Sequence, residues 1–172
     1  HAVKKYDVGL FSNKKNYRYP KPNELNQLVA WTDYKNFDLG SPKDQGFYEI
    51  KTRENLYHLF EASRFNITAN EKILYKDYID KSMQCKVVIN PPGMGEYTSR
   101  MVDQCFLGQC IVLRKTSYDF GHSTKEYLPE IDFNEKGWEH DFQNIIDNRE
   151  EWAQKALYYF QNFWTPLAIT QY

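Results

Sequence analysis

Residues Cys85–Leu113 read CKVVINPPGMGEYTSRMVDQCFLGQCIVL, and this stretch decides the fold. CKVVIN (85–90) is a short apolar run bounded by turn formers, the pattern of a buried strand. Asn90-Pro91-Pro92-Gly93-Met94-Gly95 breaks it, since prolines lack the N–H a ladder needs and glycines free the backbone. Residues 97–107 then read as a helix closed by Gly108 at its carboxyl end. CIVL (110–113) is the next strand. Two continuous apolar strands joined through a helix are the mark of a parallel crossover, buried on both faces.

Working outward, Tyr6–Phe11 (YDVGLF) is a first buried strand ending in Ser12-Asn13. The basic, aromatic KKNYRYPKP that follows is loop, and Pro22 opens a helix carrying Leu25, Leu28 and Val29 at i, i+3, i+4. Residues 36–47 have turn formers and no period. Thr52 caps a second helix, TRENLYHLFEASR, with Leu56, Leu59 and Phe60 inward. A short strand over Asn66–Ala69, a helix over Tyr75–Met83 with Tyr78, Ile79 and Ser82 on one side, an irregular stretch over 115–137, and helices near 138–147 and 149–163 complete the chain. Trp152, Ala156, Phe160 and Phe163 give the last helix its apolar face. Strands alternating with helices predict an α/β fold: one doubly wound (Rossmann-like) parallel sheet with helices on both faces, as a single domain over 1–172.

Composition narrows the function. With 41% hydrophobic and 26% charged residues the chain folds, and a net charge of -1 exerts no general pull on nucleic acid or anionic membrane. No apolar run approaches the roughly 18 residues that span a bilayer. Cys85, Cys105 and Cys110 have apolar neighbours and no CxxC spacing, so buried reduced thiols and a cytoplasmic compartment are expected, with a Cys105–Cys110 disulfide the minor alternative. His1, His58, His122 and His140 lie far apart, without zinc-ligand spacing. The chain begins at His1, and we expect a mature fragment or an excised domain of something longer.

In an open parallel sheet, ligands bind beyond the carboxyl ends of the strands. The turn after Asn90 lies at such an end. Gly93 and Gly95 let the backbone approach a ligand, and the free N–H groups of the following helix hold an anion. Thr98 adds a hydroxyl, Arg100 a planar cationic fork suited to phosphate oxygens, and Asp103 an acceptor for the hydroxyls of a ribose. The plainer reading is a tight strand-to-helix turn followed by an i, i+3 surface pair, Arg100 with Asp103.

The offsets Gly93-x-Gly95-x-x-Thr98-x-Arg100-x-x-Asp103-x-x-x-x-Gly108-x-x-x-Val112 resemble the donor-site signature of GT-B glycosyltransferases. They are most similar to those of the exostosin-like and spore-maturation-protein-like families. Asp103 stands where Glu is usual there, and Ile111 where proline is common. The resemblance covers roughly residues 6–165 and is sharp over 85–113. It implies the carboxyl-terminal, nucleotide-sugar-binding half of a two-domain enzyme that passes a sugar to the hydroxyl of a glycan or other acceptor. Gly93, Gly95 and Thr98 would border the diphosphate, Arg100 would neutralise the departing nucleoside diphosphate as the catalytic group, and Asp103 would hold the ribose. Arg18, in the basic loop after the first strand with Lys14 and Lys15, would add charge, and Tyr75 would stack the base. His122 is the weaker candidate for the opposite wall and reads first as a surface residue. No metal or cofactor is implied, and an amino-terminal domain is the expected partner. The alternative is a non-catalytic α/β ligand-binding or protein-interaction module. A single-stranded nucleic-acid surface at Tyr17-Arg18-Tyr19 finds no support in the overall charge.

Overall fold

The computed structural model describes residues 3–12, 56–70, 73–90, 99–115, 124–133 and 135–164. Five strands form one parallel sheet: β1 (Tyr6–Leu10), β2 (Ile67–Ala69), β3 (Cys85–Asn90), β4 (Ile111–Arg114) and β5 (Glu130–Ile131), in the order β2-β1-β3-β4-β5. Described helices are α1 (residues 56–61), α2 (Tyr75–Met83), α3 (Ser99–Phe106), α4 (Thr124–Tyr127), α5 (Trp138–Asp147) and α6 (Arg149–Tyr159). The doubly wound parallel sheet expected from the sequence is the fold observed, and β3-α3-β4 is the crossover read from residues 85–113. Among the described residues, no helix is long and apolar enough to cross a membrane.

Period-2 alternation sorts the strand residues onto two faces. Register pairs Val8 with Val87 and Leu10 with Ile89, and Ile89 with Val112. These side chains pack with Leu56, Tyr57 and Phe60 of α1 and with Trp138, Phe142, Ile145 and Ile146 of α5. Phe60 lies 5.2 Å, centroid to centroid, from both Trp138 and Phe142 in edge-on geometry. On the second face, Ile111 and Leu113 pack with Met101 and Cys105 of α3 and with Ala156 and Tyr159 of α6. Val88, Cys85 and Phe11 pack there with Tyr78 of α2. A Cβ on Gly9 would lie 2.5 Å from Cε2 of Phe11 and 2.8 Å from the Cys85 sulfur, so the Phe11 ring occupies the space a side chain would need.

All three cysteines are free and buried. Cys110 belongs to the first layer and Cys105 to the second, so the sheet separates them and a disulfide between them is excluded. Burial pushes each of the three thiols up to about 12.

Several boundaries differ from expectation. β1 stops at Leu10, one residue short, because the Tyr57 hydroxyl engages the backbone beyond it. β4 is shifted by one to 111–114, although the Cys110 carbonyl still accepts the Val88 N–H at 2.9 Å. The last helix ends at Tyr159 and continues as a π-helical turn, Phe160–Trp164. Within the stretch expected to be irregular lie α4 and β5. β5 pairs through the carbonyls of Pro129 and Ile131, which accept from Leu113 and Lys115 at 2.9 and 2.8 Å. Proline is tolerated at that edge because only its carbonyl is used.

Candidate functional site

Strand order 2-1-3-4-5 fixes where a ligand fits. From β1 the chain proceeds to α1 on the first face, whereas β3 leads to α3 on the second. The helices that follow β1 and β3 pack on opposite faces, which makes the carboxyl ends of these two strands the topological switch point of a doubly wound sheet, where ligands bind.

Ser12 and Asn90, both buried, mark those ends. The β1 end is pinned by Tyr57, whose hydroxyl accepts the Ser12 N–H at 3.1 Å and faces the carbonyls of Leu10, at 3.2 Å, and Ser12. One phenol thereby closes a strand end that has run out of ladder partners. Asn90 falls on the second face, in register with Leu113.

Helices α2 and α3 both begin at this edge, since each follows a parallel strand. Tyr75 is the first residue of α2 and is 65% exposed. Arg100 is exposed in the first turn of α3, and Asp103 is half-buried one turn on. The Tyr75 hydroxyl is raised above its ordinary value by desolvation, then by the charge and hydrogen bonding of the Asp103 carboxylate. Tyr75, Arg100 and Asp103 thus share one edge. Among the described residues, Arg100 and Asp103 do not form an ion pair. Gly93, Gly95 and Thr98, in the segment joining β3 to α3, lie outside the described residues, as do Lys14, Lys15, Arg18 and His122.

Beneath this cluster is a narrow cleft of about 10 Å³, room for one water-sized group, lined among the described residues by Phe11, Tyr78, Asn90, Arg100 and Gln104 together with sheet residues. Tyr78 is buried, with its ring edge-on to Phe11 at 5.4 Å. Its hydroxyl is hydrogen-bonded to the Gln104 amide. Burial pushes that phenol up to about 12, the Gln104 hydrogen bond and the Arg100 charge opposing and the Asp103 charge adding. Gln104 is 1% exposed, and its Oε1 has no hydrogen-bond partner. Tyr57, Tyr78 and Gln104 escape a sequence reading as site residues. Only Gln104 leaves a trace there: it is a polar residue inside the inward stripe Met101, Gln104, Cys105.

Chemically, the edge offers a cation, an acidic acceptor and an exposed aromatic ring around a crevice. Among the described residues there is no cluster of His, Cys, Asp and Glu able to hold a metal ion. No protein family, curated protein or solved structure matches the chain.

Proposed function

We propose that this domain binds a nucleoside-diphosphate sugar as the donor half of a metal-independent GT-B glycosyltransferase. The observation that carries the reading is the gathering of Tyr75, Arg100 and Asp103, from two different helices, beside the β1/β3 switch point. Arg100 would balance the charge that develops on the departing diphosphate, helped by the N–H groups at the start of α3. Asp103 would accept hydrogen bonds from ribose hydroxyls, and the Tyr75 ring would face the base. Gly93, Gly95, Thr98 and Arg18 keep the roles their resemblance gives them. The groups that position the acceptor hydroxyl and take its proton would come from a second, amino-terminal domain, so this chain by itself binds donor and transfers little sugar.

Calorimetric titration with a panel of nucleoside diphosphates, in magnesium and in chelator, tests this. At least one nucleotide should bind equally in both. Failure of all of them, or binding that requires magnesium or manganese, would overturn the reading in favour of a non-catalytic module or a metal-dependent site.

A further inference from the structure

The Tyr78–Gln104 pair has no part in the reading above, and its geometry is unusual. Gln104 sits on the same side of α3 as Arg100, one turn deeper, and both line the cleft with Asn90 and Tyr78. A buried amide that bonds one partner and leaves its other atom bare incurs a desolvation cost with no return inside the protein. Among the described residues, Phe11, Val88, Ile89 and Ile111 form the apolar part of the wall.

Resting on the proposed nucleotide site, we infer that this cleft is a hydroxyl-binding subsite and that Gln104 is its specificity-determining residue. The ligand chemistry follows from the amide itself. In one orientation Gln104, on the cleft wall, donates to the Tyr78 oxygen and leaves Oε1 unpaired. In the other it accepts the Tyr78 proton and leaves its NH2 group unpaired. A hydroxyl both donates and accepts, so it satisfies either arrangement, whereas a phosphate oxygen or a carbonyl satisfies only one. The cleft is too narrow for a sugar ring and admits a single protruding group. Tyr78 keeps its proton throughout the neutral range, so the pair stays uncharged and favours a neutral group over an anion. Arg100, at the mouth, then holds the anionic part of the same ligand outside. The hydroxyl comes either from the ribose or from the sugar carried on the diphosphate, and the experiment separates these.

Calorimetry would compare wild type, Gln104→Met and the milder Gln104→Asn against four ligands: a ribonucleoside diphosphate that binds wild type, its 2′-deoxy and 3′-deoxy analogues, and the corresponding nucleotide sugar. Circular dichroism and thermal unfolding would report folding of the variants. A ribose hydroxyl in the cleft makes wild type prefer the ribonucleotide over one deoxy analogue by about tenfold, the effect of one hydrogen bond to a buried partner, and makes Gln104→Met lose that preference. A sugar hydroxyl leaves whatever deoxy preference Asp103 sets unchanged in Gln104→Met. Wild type then binds the nucleotide sugar about tenfold better than the free diphosphate, and Gln104→Met removes that gain. Gln104→Asn, which withdraws the amide by one methylene, gives an intermediate loss in either case. Folded variants that bind all four ligands as wild type does would overturn the subsite while leaving the nucleotide site standing. Should both variants fail to fold, a wild type indifferent to every hydroxyl overturns it equally. A wild type that binds no nucleotide removes the site and the subsite together.

Discussion

The two ends of the sheet use their polar residues differently. At the amino end, groups are matched in pairs. Lys86 Nζ meets Asp7 Oδ1 at 2.7 Å, the Asn66 N–H donates to the other Asp7 oxygen at 2.9 Å, and Gln109 Nε2 donates to the Ser82 carbonyl at 2.8 Å while its Oε1 accepts from Lys4. Even Arg149, whose Nε has no partner, engages the Ile146 carbonyl through Nη1. At the carboxyl end, the buried Ser12 hydroxyl and Gln104 Oε1 stand without partners, and Arg100 is exposed. Matched polar groups hold strands in register. Unmatched ones at a crevice incur a cost that a ligand can offset. The contrast teaches where this fold has been stabilised for its own sake and where it has not.

Substitutions at four positions test that contrast. Arg100→Ala should weaken nucleoside diphosphate binding by about 1.5–3 kcal/mol, the range for hydrogen bonds to charged groups, with stability unchanged. Arg100→Lys should recover only part, because it restores charge without the fork. Calorimetry beside thermal unfolding reads both quantities, and unaltered affinity would show that this edge is no more functional than the other. Tyr57→Phe leaves the buried Ser12 N–H and carbonyl without the phenol that serves them. It should cost about 1–3 kcal/mol in denaturant unfolding. A neutral result would show that the β1 end needs no pin.

Asp7→Asn probes the amino end through pH. Burial alone would raise the Asp7 carboxyl, but the hydrogen bonds from Lys86 and Asn66 and the Lys86 charge outweigh it and hold the group below its ordinary 3.8. A depressed pKa contributes stability above the unfolded value and loses it as pH falls through the folded one. The variant should therefore be less stable than wild type by about 1 kcal/mol near neutrality. That difference should shrink as the medium is acidified below pH 3.8. A gap that persists in acid would assign the effect to something other than the charge. The smallest effect is expected at Asp103→Asn, which removes the charge facing Tyr75. The Tyr75 phenol should then ionise at lower pH in an ultraviolet titration, and an unmoved transition would separate the two side chains.

How much of this was legible depended on length and on contact range. CKVVIN and CIVL announce themselves because central parallel strands are buried on both sides and so read as unbroken apolar runs. β5 has only Glu130 and Ile131 after a proline, too short for any period, and it exists because β4 presents N–H groups to its carbonyls. At the site, Arg100, Asp103 and Tyr75 were visible because offsets from a glycine turn and a helix start are local properties. Tyr57 and Tyr78 were not: on paper each is one more core aromatic. Their roles arise only when Ser12 and Gln104, 45 and 26 residues away, are brought against their hydroxyls.

The placement of Cys105 and Cys110 carries a consequence for kinetics. One lies under α3 and the other under α1 and α5, with the sheet between them and both thiols protonated at neutral pH. Neither can attack a reagent until its own layer lifts away, so alkylation rates at the two positions record two separate opening events. Equal rates at every denaturant concentration would mean that the layers part only together, in global unfolding. Faster reaction at Cys105 would mean that the helices bordering the crevice come away first while the opposite layer holds the strands in place.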